Sequence, residues 1–134
     1  MEIMLTGLLP ESLVVDQPEV DAQHEEIFIR IESLKIAFFD GDIPTISVFE
    51  DLLAFFEHHF ATEERIAGQA GLEFSVHTKK HNDNLYVLSK ALDEVRRGAY
   101  DVHSFLRYVE YWFERHIIEE DKPFGAHLKA LLRR

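Results

Sequence analysis

The sequence predicts an all-α protein, an antiparallel up-down-up-down four-helix bundle with an N-terminal arm and a short C-terminal helix. Apolar residues recur at alternating steps of three and four in four successive segments, which is the spacing of one buried stripe on a helix. Glycine and proline separate these segments by short connections, which make sequential helices antiparallel neighbours. No repeat, low-complexity tract or second domain interrupts the 134 residues, so residues 1–134 are predicted to form a single domain.

The predicted elements follow the chain in order. Residues 1–17 show no clear period and are predicted to be an extended arm. Pro18 suits the first turn of a helix, which places the bundle at residues 18–120. Residues 123–133 carry apolar side chains on one face and form the predicted C-terminal helix. Turns are predicted at these residues: Gly41, Asp42 and Pro44, then Gly68 and Gly71, then Gly98.

Each helical segment has one stripe of mainly apolar residues. The first stripe is Val20, His24, Ile27, Ile31, Leu34 and Phe38. The second is Phe49, Leu52, Phe56, His59, Glu63, Ile66 and Ala70. The third is Phe74, His77, His81, Leu85, Leu88, Leu92 and Val95, and the fourth is Val102, Phe105, Val109, Trp112 and His116.

Composition limits the classes of function. The 25 acidic and 14 basic residues give a formal charge of −11, which argues against non-specific binding to nucleic acid or to an anionic membrane. No apolar run approaches the ~20 residues that span a bilayer, and no basic region precedes the first apolar residues as in a signal peptide. The absence of cysteine excludes disulfides, thiolate zinc sites and iron–sulfur clusters. We therefore expect a cytoplasmic protein.

Ionisable side chains occupy stripe positions where leucine or isoleucine would be expected. Six of them share this placement: His24, His59, Glu63, His77, His81 and His116. Two pairs within this set are four residues apart, about 40° around a helix, so both members of each pair reach one centre. Burial of so many ionisable groups needs compensation, and imidazoles with carboxylates are a metal-ligand set. Their common phase predicts a metal site inside the bundle.

Other histidines and acids fall outside this pattern. His58 and Glu64 stand beside predicted ligands but off the stripe, so we interpret them as surface residues. His103 and His127 have no ligand partner at helical spacing, so we interpret them as solvated histidines. A single histidine on an apolar stripe is more often a hydrogen-bonded core residue than a ligand. Two pairs and two further histidines in one phase favour the metal site.

The spacing leaves the second carboxylate ligand open. Glu120 is four residues after His116, whereas Asp121 is five residues after it, about 140° away on an ideal helix. Spacing alone favours Glu120.

The size of the ligand set indicates two metal ions. Seven protein ligands are too many for one tetrahedral zinc. Five imidazoles, two bridging carboxylates and one bridging solvent oxygen would make one ion six-coordinate and the other five-coordinate. The five-coordinate ion would then have one open position. Nitrogen ligands favour iron over magnesium or calcium. The Glu-x-x-His motif of carboxylate-rich bundle sites is absent at all five histidines, and fewer anionic ligands suit reversible binding of a small ligand.

Four motifs resemble the hemerythrin family in order and spacing. They are Val-Asp-Ala-Gln-His (20–24), His-Phe-x-x-Glu-Glu (59–64), His-x-x-x-His (77–81) and Trp-Phe-x-x-His-x-x-x-x-Asp (112–121). The resemblance extends over nearly the whole chain and is closest to single-domain bacterial hemerythrins. It implies two iron ions, oxo- or hydroxo-bridged and without haem, that bind O₂ reversibly.

The resemblance also implies residue roles. One iron would be held by His77, His81 and His116, the other by His24 and His59, with Glu63 and Asp121 as bridges. It therefore prefers Asp121 to Glu120, and a π-type bulge or tightened turn before Pro123 would bring this residue into place. O₂ would bind at the iron with two histidines, in a pocket lined by Ile27, Phe60, Phe113 and Ile117. Ordinary core packing accounts for these four residues as well.

Three functions follow from the sequence. The first is an O₂-binding protein, not an enzyme, used for storage, delivery or sensing; a chain of this length without an output domain favours storage, or delivery to a cytoplasmic oxidase or other O₂ consumer. The second is a di-iron enzyme on the same scaffold, with oxidase, peroxidase or nitric-oxide-handling activity, although no catalytic residue beyond the ligands stands out. The third is a zinc-holding or metal-free structural bundle.

Overall fold

The computed structural model describes residues 9–39, 46–98 and 101–132, which are helical and contain no strand. The helices are α1 (Pro18–Phe39), α2 (Ile46–Ala70), α3 (Ser75–Arg96), α4 (Val102–His116) and α5 (Lys122–Leu132). A 3-10 turn, Glu11–Leu13, precedes α1, and a π-helical segment, Ile117–Asp121, joins α4 to α5. The predicted all-α class, with four helices and a short C-terminal helix, is confirmed. The predicted turn at residues 41–44 and residues 1–8 of the predicted arm lie outside the described residues.

The four long helices pack as an antiparallel ring, in which each contacts the next and α1 also contacts α4. Arg96 at the end of α3 pairs with Glu50 near the start of α2. Phe38 near the end of α1 stacks on His103 near the start of α4, with ring centroids 5.9 Å apart. Because opposite ends of neighbouring helices meet, the helices run up and down in turn. Within the described ranges no helix is long and apolar enough to span a membrane.

Local sequence explains where two of these helices begin and end. Pro18 starts α1, and the Gln17 side chain accepts the N–H of Val20 at 2.8 Å, which satisfies a donor that the first helical turn leaves free. Gly71 follows α2 with a φ of 73°, the left-handed conformation that glycine adopts without strain. Gly68, predicted in a turn, instead lies inside α2, and the helix continues to Ala70, the last residue of the predicted stripe.

The interior is filled mainly by phenylalanine and branched aliphatic side chains. The largest fully buried rings are Phe49, Phe56, Phe60, Phe105 and Phe113. The rings of Phe56 and Phe113 meet edge to face at 5.2 Å, a favourable arrangement for aromatic pairs. A smaller cluster of Ala67, Phe124 and Leu128 packs α5 against the last turns of α2. Helix α5 therefore closes one end of the bundle.

The N-terminal arm is tied to this closed end by a buried carboxylate. Asp21 is 2% exposed and accepts the N–H of Val15 at 2.8 Å and that of Asp16 at 3.0 Å. Lys129 of α5 pairs with Asp16 at 3.0 Å. The described part of the predicted arm, residues 9–17, is therefore anchored by hydrogen bonds and contains the 3-10 turn.

Gly125 lies where the arm meets α5, and a side chain there should destabilise the protein. A Cβ at this position would overlap the carbonyl oxygen and Cγ1 of Val15. We expect Gly125→Ala to lower the free energy of unfolding by about 1–3 kcal/mol, measured by urea denaturation of the metal-free protein. Gly68→Ala is the control, because a Cβ there meets nothing within 4 Å and should stabilise the helix by about 0.5–1 kcal/mol. Equal effects of the two substitutions would contradict the close approach.

Candidate metal centre

Seven ionisable side chains converge between the four long helices, at the end closed by α5. They are His24 of α1, His59 and Glu63 of α2, His77 and His81 of α3, His116 of α4, and Asp121 of the π segment. Their side chains are almost completely buried, and the most exposed is His77 at 11%. The structure therefore brings together all seven residues predicted as ligands. That these residues bind a metal stays a prediction.

The two oxygens of Glu63 face different histidines. Glu63 Oε1 lies 3.0 Å from His81 Nε2 and 3.6 Å from His77 Nε2. Glu63 Oε2 lies 3.3 Å from His59 Nε2 and 3.7 Å from His24 Nε2. The carboxylate thus stands between two groups of imidazoles.

Asp121 divides the histidines in the same way. Its Oδ1 lies 3.1 Å from His77 Nε2 and 3.3 Å from His116 Nε2, and its Oδ2 lies 3.0 Å from His24 Nε2. Both carboxylates therefore lie between a histidine pair, His24 and His59, and a histidine triple, His77, His81 and His116. The division of histidines matches the one that the hemerythrin resemblance implies.

The π segment explains why Asp121, and not Glu120, reaches the centre. The N–H of Lys122 bonds to the carbonyl of Ile117, which is the five-residue step of a π-helix. This wider turn carries position 121 onto the same inward face as His116. Glu120 instead pairs with Lys80 at 2.9 Å. The spacing-based preference for Glu120 is wrong, and the predicted π-type bulge is confirmed.

Buried atoms at the centre lack hydrogen-bond partners within the described residues. They are both carboxylate oxygens of Glu63, Oδ2 of Asp121, and Nε2 of His81 and His116. Some lie close to one another, but none has the alignment of a hydrogen bond, and an unsatisfied buried polar group costs about 1–3 kcal/mol. Within each of two groups, all ligand atoms lie within 4.8 Å of one another, and the two groups share both carboxylates. This arrangement fits two cations bridged by two carboxylates.

The charges of the metal-free centre also favour cations. Burial lowers the pKa of His24, but the carboxylates of Asp121 and Glu63 close to its Nε2 outweigh burial and raise the pKa to about 9. Burial raises the pKa of both carboxyl groups, yet the neighbouring histidines hold each below its ordinary value. Protonated imidazole therefore balances ionised carboxylates. Bound metal would displace these protons and supply the positive charge.

Sequence reasoning missed residues that contact the outer side of the histidines. His59 Nδ1 lies 2.8 Å from Gln23 Oε1, and His81 Nδ1 lies 3.3 Å from Glu64 Oε2. Such contacts orient a metal-binding imidazole and direct its other nitrogen at the metal. Glu64 is 38% exposed, so its interpretation as a surface residue was incomplete. The available signal was that each residue stands directly beside a predicted ligand.

The remaining histidines lie away from the centre. His58 is exposed, in agreement with its position off the stripe, and His127 is exposed, in agreement with its interpretation as a solvated histidine. His103 is half-buried and its ring stacks on that of Phe38, with centroids 5.9 Å apart, so its interpretation as a solvated histidine is wrong.

The residues predicted to line an O₂ pocket are all buried: Ile27, Phe60, Phe113 and Ile117. The Phe113 ring lies edge to face with the rings of His24 and His59, with centroid distances of 5.3 Å and 6.3 Å. The Phe60 ring stacks on that of His81, with centroids 4.0 Å apart. The two phenylalanines therefore contact histidines of the centre directly, and all four residues belong to the hydrophobic core. Their role in binding O₂ stays a prediction.

Five imidazoles and two carboxylates, enclosed by four antiparallel helices, define a helical bundle of the cation-binding class. The family model of the hemerythrin HHE cation binding domain matches residues 16–128, and the chain belongs to this family. The resemblance seen in the sequence is thereby confirmed. No match was found among curated proteins or among solved structures.

Removal of one histidine of the triple should reduce metal binding. We expect His77→Ala to lower the number of irons bound per chain after anaerobic loading, because it removes a nitrogen that faces both carboxylates. His58→Ala is the matched control at an exposed position, and this variant should bind as many irons per chain as the unmodified protein. Iron is measured against protein concentration after desalting. Equal losses in both variants would contradict the assignment.

Proposed function

We propose that the protein binds O₂ reversibly at two iron ions held by the seven side chains, for storage, delivery or sensing of oxygen. The observation that carries this proposal is the unequal division of histidines, a pair on one side of the carboxylates and a triple on the other. If each side holds one ion and both carboxylates bridge, the ion of the pair has one protein ligand fewer. That open position is the proposed site of O₂.

The donor set supports iron as the metal. Imidazole nitrogen with carboxylate oxygen suits iron, whereas magnesium and calcium prefer oxygen alone, and the chain has no cysteine thiolate. A four-coordinate zinc would leave several of the seven groups without a role. When bound, the two irons supply the electrons for reversible reduction of O₂.

The surroundings of the histidine pair favour binding over substrate chemistry. The side chains of His24 and His59 are completely buried, and the Phe113 ring lies against both. Phe28 also packs against Phe113, with ring centroids 5.0 Å apart. An apolar wall admits a small uncharged molecule and keeps water and protons away from it. We therefore propose a binding protein that supplies an oxidase or other O₂-consuming enzyme.

One experiment separates binding from catalysis. The protein is loaded with ferrous iron under argon, exposed to air and returned to argon while its visible spectrum and O₂ uptake are recorded. We expect a colour that appears in air and fades under argon over repeated cycles. Steady O₂ consumption with release of peroxide or an oxidised product would support a di-iron oxidase or peroxidase instead. An iron-loaded protein that neither changes colour nor takes up O₂ would contradict the proposal.

A further inference from the structure

The histidine pair and the histidine triple differ in the charge of their outer contacts. In the pair, His59 Nδ1 contacts the side-chain amide oxygen of Gln23 at 2.8 Å. In the triple, His81 Nδ1 contacts a carboxylate oxygen of Glu64 at 3.3 Å. A carboxylate is a stronger acceptor than an amide and makes the imidazole a stronger electron donor to a metal. The two sides of the centre therefore have unequal donors.

Thr62 determines which way the Gln23 amide points. The Thr62 hydroxyl donates its only proton to the backbone carbonyl of His58 at 3.1 Å. Its oxygen can then only accept, and it accepts from Gln23 Nε2 at 3.0 Å. The amide nitrogen of Gln23 thus faces Thr62, and its oxygen faces His59.

This chain of hydrogen bonds selects one tautomer of His59. Because Gln23 presents an acceptor, the Nδ1 of His59 carries the proton and donates it. The Nε2 of His59 then keeps its lone pair, and it lies 3.1 Å from His24 Nε2 and 3.3 Å from Glu63 Oε2. No charged group takes part in this chain, which runs from the His58 carbonyl through Thr62 and Gln23 to His59.

We propose that Gln23 and Glu64 are positioning residues that make the two metal ions unequal in ease of oxidation. The Glu64 carboxylate strengthens His81 as a donor and favours the oxidised state on the side of the triple. The neutral Gln23 amide orients His59 without adding charge and leaves the ion of the pair easier to keep reduced. This inference rests on the proposed function, since it concerns the ion at which O₂ would bind.

Substitutions that change the charge of Gln23 and of Glu64 test this inference. Gln23→Glu introduces a carboxylate behind His59, and Glu64→Gln removes the one behind His81. Matched controls are Gln69→Glu and Glu57→Gln, which make the same charge changes at exposed positions of α2. Reduction potentials of the iron-loaded variants are measured by spectroelectrochemical titration under argon.

We expect the two variants to shift potentials in opposite directions. Gln23→Glu should lower the potential of one iron by about 59 mV, a tenfold change in its ratio of oxidised to reduced forms. Glu64→Gln should raise the potential of the other iron by a similar amount. Each control should shift the potential of either iron by less than about a third of the shift in its matched variant. Potentials that move no more than those of the controls, or move with the opposite sign, would overturn the inference.

A second measurement depends on neither oxygen nor redox chemistry. Thr62→Val keeps the shape of the side chain but cannot accept from Gln23, whereas Thr62→Ser keeps the hydroxyl. We expect Thr62→Val to weaken zinc binding about 10–100-fold in a chelator competition and Thr62→Ser to stay close to the unmodified protein. Equal zinc affinities of the two variants would overturn the role of the hydrogen-bond chain. An unmodified protein that takes up no iron would instead overturn the proposed function, and this inference with it.

Discussion

Asp121→Ala should lower iron affinity by more than about 100-fold, while Glu120→Ala should keep it. Asp121 is completely buried and lies within 3.3 Å of three histidine Nε2 atoms on both sides of the centre. Its removal therefore takes a shared ligand from both ions at once. Glu120 instead pairs with the exposed Lys80, and an ion pair that water screens stabilises a protein little.

Affinity is measured by competition with a ferrous chelator under argon, and circular dichroism confirms that each variant folds. The comparison is sharp because the two acids are neighbours in sequence and the π segment places them on different faces. A larger loss of iron in Glu120→Ala than in Asp121→Ala would contradict the geometry of that segment.

Phe113→Ala should reduce the free energy of unfolding by about 3–5 kcal/mol, the range for loss of a buried aromatic ring. Phe113 is 0% exposed, and its ring packs against His24, Phe28 and Phe56. The cavity would adjoin the histidine pair and admit water. We therefore also expect the colour gained in air to become irreversible sooner than in the unmodified protein.

Tyr111→Ala provides the control for Phe113→Ala, because Tyr111 lies on the same helix and is 67% exposed. It should change stability by less than about 0.5 kcal/mol and leave the reversibility of the colour unchanged. Stability is measured by urea denaturation and reversibility by repeated cycles of air and argon. Similar values for both variants would show that Phe113 does not protect the centre.

Much of the fold could be predicted because burial follows directly from the spacing of apolar residues. The stripe positions Ile27, Ile31, Phe56 and Val109 are all completely buried. The same spacing placed six of the seven inward ionisable groups, because a ligand four residues from another shares its face on a regular helix. The pattern was therefore most informative where the helices are regular.

The seventh group could not be placed by spacing, since that reasoning assumes an α-helix throughout. The π segment Ile117–Asp121 breaks the assumption just before Pro123, which has no N–H to donate and crowds the preceding turn. Only the motif shared with hemerythrins indicated Asp121. The outer contacts of Gln23 and Glu64 were also missed, because they depend on which side chains of neighbouring helices meet.

The central claim is that the seven side chains hold two metal ions between the histidine pair and the histidine triple. The most direct test is the iron content of the unmodified protein, loaded with ferrous iron under argon, desalted and analysed for metal against protein concentration. The account predicts two irons per chain. A fully folded protein that retains one iron or none would contradict it.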